Sequence, residues 1–424
     1  MTISKPLTRD EPRLLAWSRV PFFDIADWCA IALAASLPWS TSATSILAVL
    51  WLAFLLPTLD RATLHRALMT PAGALPVLLW LLAAAGMLWA DVGFPERIEG
   101  LSGFLKLLAL PLLLAHFRRS GRAAWVLAAF LLSCTLLLAT SYFLALWPGL
   151  SWRGVRAGLG VPVKDYIAQS GEFAICVFIL LPIALGMVRT RPWAAAGILL
   201  WSALFLIDFL YLATGRTALA VTVVLLLIFA FRELGLKKGG LAVLAATLLA
   251  AVIWESSPFL RMRVGLVPSE VERYWNENAR TSTGERLEYW RRSVSFMAEA
   301  PVLGHGTGTI RELFRRSAVG ESGASALVSP NPHNQTLAVG IQLGLVGIIV
   351  LYAMWLSHAL LFRGPSLPAW VGLVVVTQNV VSSLFNSHLF DFTQGWIYVF
   401  GVGVAGGVVL RQRDDVSEER PSGA

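Results

Sequence analysis

Twelve apolar stretches separated by short polar breaks make up most of this chain: 22–40, 43–59, 72–90, 101–117, 123–147, 170–188, 193–213, 217–231, 240–257, 334–361, 367–385 and 392–410. A bilayer core about 30 Å thick takes about 20 mostly apolar helical residues per crossing. The pattern predicts an all-α fold, a polytopic membrane bundle of about twelve transmembrane helices forming one domain over 1–424. Two stretches, 22–40 and 217–231, are short or polar at their ends and are expected to tilt, re-enter or extend into loops. A-L-A-A-S after the first run resembles a signal-peptide cleavage site, but Asp24 and Asp27 interrupt its apolar core, so a retained first span is expected.

One long polar segment breaks the series, 258–333, between the ninth and tenth spans. A helix is expected there from about Glu285 to Ala300, capped by Ser282 or Thr283 and stopped by Pro301. Leu287, Trp290, Val294 and Met297 recur at three- and four-residue steps and predict its apolar face. The acidic tail 414–424 is expected to be disordered and cytoplasmic.

Composition agrees with a membrane protein. Charged residues are 14%, against about 25% in soluble domains, and mean hydropathy is +0.67. The net charge of +8 would raise nucleic acid as a partner in a soluble protein. Here it orients spans. No basic-aromatic motif for reading RNA or DNA occurs, so nucleic acid is not expected. The N-terminal Lys5, Arg9, Arg13 and Arg19 lead a series of basic short loops: Arg61 and Arg66; Arg118, Arg119 and Arg122; Arg189 and Arg191; Arg232, Lys237 and Lys238; Arg363; and Arg411 with Arg413. With twelve crossings all lie on one side, which places both termini in the cytoplasm. Cys29, Cys134 and Cys176 sit inside apolar runs and read as packing residues.

The outward loops break the charge rule. Arg153, Arg156 and Lys164 occupy one, Arg216 another, and ten arginines crowd 258–333. Arg216, in T-G-R-T, stands at the junction of two spans, where a guanidinium either snorkels to headgroups or serves function. Arg286 and Arg291 on the loop helix offer planar forks suited to phosphate oxygens; the alternative is surface salt bridges with neighbouring glutamates. His333 precedes a span and has the proton affinity of a general base near neutral pH; the alternative is a capping histidine. His305, in a glycine-rich turn with no following lysine, makes a poor nucleotide loop. Asp391, near His388, either orients a histidine or arginine or is a solvated loop acid. Lys106, near the outer end of its span, snorkels or lines an outward cavity.

These motifs together resemble a known family. T-G-R-T-A-L-A, G-E-R-L-E-Y-W, P-V-L-G-H-G-T-G, P-H-N-Q-T-L-A-V-G-I-Q-L-G-L-V-G and H-L-F-D-F-T-Q-G-W are similar to the O-antigen ligase and polymerase superfamily of bacterial membrane proteins. The likeness is close over the C-terminal half and one of hydropathy alone before it. It implies a GT-C-type glycosyltransferase of the inner membrane with a periplasmic active site. The donor it implies is an undecaprenyl pyrophosphate-linked O-antigen, and the acceptor lipid A–core, both met among membrane lipids. Carried over by motif, Arg216 and Arg286 bind the donor pyrophosphate and His333 is the catalytic base. Arg153, Arg156, Lys164, Arg291 and Asp391 are candidate supporting groups. No cofactor or metal is expected, and a single displacement would invert the anomeric centre. The compact loop favours a ligase over the protein-glycosylating relatives of the family, with a polymerase acting on undecaprenyl pyrophosphate-linked repeats as the alternative. A transporter of lipid-linked sugars would need a polar path through the bilayer and inverted repeats, and neither is visible.

Overall fold

The computed structural model describes residues 19–151, 160–213, 215–256 and 258–418, and among them every regular element is helical. Helix α1 (Arg19–Ser36) turns into α2 (Thr41–Leu55), which Ser40 caps through the amide of Ala43. Helices α3 (Arg61–Leu68) and α4 (Pro71–Gly86) form a pair bent by 85°. Helices α5 (Phe94–Leu105) and α6 (Ala109–Phe117) are joined by one 3-10 turn into a single span. Then come α7 (Ala123–Leu146), α8 (Tyr166–Met187), α9 (Pro192–Tyr211) and α10 (Arg216–Ser256). The long loop builds α11 (Pro258–Glu277), α12 (Ser282–Glu299) and α13 (Ile310–Ser317), and the chain ends with α14 (Gln335–Leu361), α15 (Leu367–Ser382) and α16 (Phe392–Glu418).

Among the described residues 8 helices are long and apolar enough to cross a membrane, or 9 if the bent pair counts as one span. The expected twelve exceeds this count at three places, each with a physical cause. Helix α1 carries Asp24 and Asp27 in 18 residues. Helix α15 is only 16 residues long. The stretches 217–231 and 240–257 fall together in α10, which folds back on itself at Gly235 (φ 71°, ψ 177°). The fold-back is visible at both ends. The Tyr211 hydroxyl, just before α10, lies 3.2 Å from Ser256 Oγ, at its end. A Cβ on Gly239 would stand 2.6 Å from the Ala230 carbonyl oxygen, so only glycine lets the two arms meet at the turn.

The bundle sorts its loops to two ends. At one, Arg118 pairs with Asp414, Arg232 donates to the carbonyls of Phe362 and Gly364, and Arg413 donates to Leu361. The buried Asp27 is held there by His116 (2.9 Å) and Ser120 (2.6 Å), which is how an acid survives inside α1. At the other end gather Arg216, Lys106, His333 and the loop helices. Between them the interior is filled by large buried rings, among them Trp51, Phe173, Phe205, Trp370 and Tyr398. In lipid such close packing, rather than escape from water, holds helices together.

Helix α14 is broken inside the bundle. Gly344 (φ 60°, ψ −156°) interrupts it, and a Cβ there would lie 2.3 Å from the Val302 carbonyl oxygen. The segment 301–308 satisfies the freed backbone groups. His305 and Gly306 donate to the carbonyls of Ile341 and Gln342, and Leu345 and Val346 donate to those of Pro301 and Val302. Thr307 continues onto α4, donating to the carbonyls of Gly86 and Ala83. The glycine-rich turn is thus a backbone splint. Irregular backbone at membrane depth is tolerated where protein buries and pairs it in this way.

The loop helix differs from its expectation in cap and face. Thr281, not Ser282 or Thr283, caps α12, its hydroxyl accepting from Gly284. Its buried face is Glu288, Tyr289, Arg292, Ser293 and Phe296, while Val294 is exposed. Two charges are buried because their partners are local. Glu288 accepts from Tyr274 and Arg291, and Arg292 donates to the carbonyls of Ser325, Leu327 and Phe314. Apolar spacing alone cannot foresee that. The tail expected to be disordered from Asp414 is helical as far as Glu418, and the rest of it lies outside the described residues.

Candidate functional site

His333 sits in the turn that enters α14, in the left-handed region (φ 54°). Its amide donates to Asn331 Oδ1 at 2.8 Å, Trp290 Nε1 reaches its carbonyl at 3.4 Å, and Tyr289 stacks on its ring at 5.7 Å and 24°. Asn334, the next residue, caps α14 through the amide of Leu337. Backbone and ring are therefore both held.

The ring nitrogens are distinguished by Asn386. Its Nδ2 donates to Asp391 Oδ2 at 2.8 Å, so its Oδ1 is the atom facing His333 Nδ1, at 2.9 Å. Asn331 Nδ2 donates to the same oxygen, and Ser387 in turn donates to Asn331 Oδ1. A carbonyl oxygen only accepts, so Nδ1 carries the hydrogen and Nε2 keeps its lone pair. Burial, and then the positive charge of Arg286, press the imidazole below its ordinary proton affinity, and the Asn386 hydrogen bond opposes them only partly. His333 is thus a neutral base at pH 7 with Nε2 available.

The two arginines come to the same region from different elements. Arg216 opens α10, and the preceding Gly215 is pressed against α8, where a Cβ would meet Ser170 Oγ at 2.4 Å. The close approach that this glycine allows is therefore to a neighbouring helix. Arg216 Nη1 lies 3.3 Å from Thr283 Oγ1 and 3.5 Å from Glu270 Oε2. Burial alone would raise the Glu270 carboxyl, but Thr283 and Arg216 outweigh it and hold it below its usual range. Arg286, one turn into α12, donates to Ser282 Oγ at 3.1 Å, while its buried Nε has no partner. Among the described residues no carboxylate pairs with it. Burial first lowers its proton affinity and Arg216 adds to that, while Tyr166, Glu270 and Glu285 oppose it. Two guanidinium groups close enough to feel each other's charge, only one of them in an ion pair, therefore stand near His333. Such a cluster is stabilised by an anion with several oxygens.

The other expected residues divide. Asp391 joins the site through Asn386; burial raises its carboxyl to about 6, against the pull of Lys106. Lys106 does not snorkel: its ammonium donates to the carbonyls of Leu389, Phe390 and Asp391 and fixes the loop that carries Asn386. Arg291 is engaged by Glu288. Lys164 turns to the Leu37 carbonyl and lies 4.0 Å from Glu172, inside the bundle. Arg153 and Arg156 lie outside the described residues. Most other loop arginines are taken by local acids: Arg311 by Glu99, Arg315 and Arg316 by Glu312, Arg316 also by Asp91. His388 is buried beside His333 and Arg286, and burial first, then the electrostatic influence of those two residues, takes it down to about 4. Asn386, Asn331, Tyr289 and Glu270 were not foreseen. A turn asparagine or a lone glutamate has no spacing that marks it; only the five-residue interval between Asn386 and Asp391 hinted that one loop would present both.

Comparison with known proteins bears on the same region. Residues 201–352 match the family model for O-antigen ligase. The matched segment runs from within α9 into α14 and contains Arg216, Arg286 and His333, while Asn386 and Asp391 lie beyond it. An uncharacterized protein of Haemophilus influenzae is 27% identical over 144 residues, which is 33% of this chain and 36% of that protein. The chain thus spans about a third of that relative's length. Over that segment the chain is similar to the O-antigen ligase family, and the described helices are those of a polytopic membrane protein.

Proposed function

We propose that this protein is an O-antigen ligase of the bacterial inner membrane, with Arg216, Arg286 and His333 facing the periplasm. It would move a glycan from undecaprenyl pyrophosphate to a sugar hydroxyl of lipid A–core. The observation that carries this reading is an Nδ1-tethered imidazole that feels the charge of Arg286, which in turn feels that of Arg216.

In the proposed reaction the acceptor hydroxyl gives its proton to His333 Nε2 as its oxygen attacks the anomeric carbon. The bond from that carbon to the pyrophosphate oxygen breaks on the opposite face, so the product is inverted. Negative charge grows on the departing pyrophosphate, and Arg216 with Arg286 stabilises it. The Asp391 carboxylate polarises Asn386, which steadies His333 as it becomes an imidazolium. The charge of Arg286 keeps the base unprotonated before the reaction and draws the donor in.

A strain lacking the gene and supplied with a His333→Ala variant tests the reading. Uncapped lipid A–core with normal variant abundance is expected, and normal O-antigen attachment would remove the base assignment. The same strain separates the ligase from a polymerase. Loss of a polymerase leaves single repeats on the core, and loss of the ligase leaves none.

A further inference from the structure

A cavity of about 270 Å³ runs between α1, α7, α8, α15 and α16. Its walls are apolar, including Ala34, Val126, Ile179, Val371, Phe400 and Val404. Along α16 it extends from Ile397 to Arg411, about 20 Å at the helical rise, which is the reach of one long hydrocarbon chain. No function so far described uses it.

Its two ends differ. The upper end stops below a layer of buried polar side chains, where Gln378 donates to Gln394 at 2.9 Å beside Gly171, with Glu172 next along α8. That layer separates the cavity from His333 and the arginines. The lower end, at the opposite side of the bundle, is bordered by Gly121, Pro368 and Arg411. Arg411 donates to the Ser120 carbonyl, which fixes its guanidinium at the mouth. Among the described residues no carboxylate pairs with Arg411, whereas Arg118 nearby takes Asp414. The mouth is therefore cationic and the interior apolar. A lipid whose anionic head rests on Arg411 has its head at the wrong end to be the glycan donor.

We propose that this cavity holds one acyl chain of an anionic glycerophospholipid from the leaflet opposite the transfer site, with its phosphate on Arg411. The chain fills space between helices that both support the site, α8 and α16, so the lipid is a structural ligand. The choice of leaflet rests on the proposed transfer site, but the lipid binding does not, and its test reads lipid binding alone.

The test uses the full chain purified in mild detergent, with lipid binding followed by native mass spectrometry. The probes are dioleoyl phosphatidylglycerol, dioleoyl phosphatidylcholine, oleate and a polyprenyl monophosphate. Wild type is expected to bind one phosphatidylglycerol saturably and more tightly than the other three. Val404→Trp, which fills the cavity, is expected to abolish that binding; Val371→Phe serves the same purpose where the first variant does not fold. Arg411→Gln is expected to weaken phosphatidylglycerol about tenfold, the loss of one charge-assisted hydrogen bond, and to narrow its advantage over phosphatidylcholine, whose choline already offsets the phosphate charge. Undiminished phosphatidylglycerol binding by the filled variants overturns the proposal. So does equal binding of oleate, or displacement by equimolar polyprenyl monophosphate, which would assign the cavity to the donor's tail.

Discussion

His333 Nδ1 lies 2.9 Å from Asn386 Oδ1, across 53 residues of sequence. That contact decides which imidazole nitrogen can act as a base. Replacing Asn386 with leucine removes the acceptor and frees the ring to take the other tautomer. Transfer by Asn386→Leu should fall at least about tenfold, less than the roughly 10²–10⁴-fold expected for losing the base itself. Abundance and melting temperature should change little, which separates positioning from folding. Single-turnover transfer rates in reconstituted membranes check it.

The pH dependence follows from the neighbours of His333. Activity should rise with pH as the imidazole loses its proton and be level near neutrality, because burial and Arg286 hold its proton affinity below the ordinary value. Removing a positive neighbour makes protonation easier. In Arg286→Gln the acidic limb should therefore shift to higher pH, besides the loss of transition-state stabilisation. A pH–rate profile of the variant with an unshifted limb would contradict the coupling.

Lys106 and Asp391 make a second pH prediction. Burial has raised the Asp391 carboxyl to about 6, and the Lys106 ammonium restrains that rise. In Lys106→Met the restraint is gone, so Asp391 should hold its proton to higher pH and cease to polarise Asn386 at neutrality. Activity should drop near pH 7 and recover partly on the alkaline side. A uniform loss at every pH would assign Lys106 to loop structure alone, through the three carbonyls it binds.

Gly344 is the position where the fold is least tolerant. Its backbone lies in a region that only glycine adopts readily, and a Cβ would meet the Val302 carbonyl at 2.3 Å. Gly344→Ala should cost about 1–3 kcal/mol in backbone strain alone, and more from the clash. The measurement is thermal unfolding in detergent, where a lower melting temperature is expected.

Much of this was legible in the chain and part was not, for identifiable reasons. Crossing helices announce themselves because lipid demands long apolar runs, and α7, α8, α9 and α14 stand close to where those runs place them. The stretches 217–231 and 240–257, expected as two spans, fall in one helix that turns back at Gly235, a turn that apolar run length does not reveal. Helix α11 was hidden, as Gly265 and Pro268 read as breakers. The face of α12 was foreseen in part: Trp290 and Met297 pack on the core, Val294 is exposed, and Glu288 and Arg292 are buried with local partners, which apolar spacing cannot register. Arg216 and His333 stood out as charge and proton chemistry at span ends, and Arg286 as a planar fork on the loop helix. The groups that hold them, Asn386, Asn331 and Glu270, are ordinary polar residues made meaningful only by distance.

The central claim is that His333 takes the acceptor's proton beside two pyrophosphate-binding arginines. It is tested most directly with purified protein in nanodiscs carrying lipid-pyrophosphate-linked glycan and lipid A–core, without nucleotide. Wild type should transfer the glycan, while His333→Ala should bind the donor as tightly and transfer it about 10²–10⁴-fold more slowly. Transfer by His333→Ala at the wild-type rate would contradict the account.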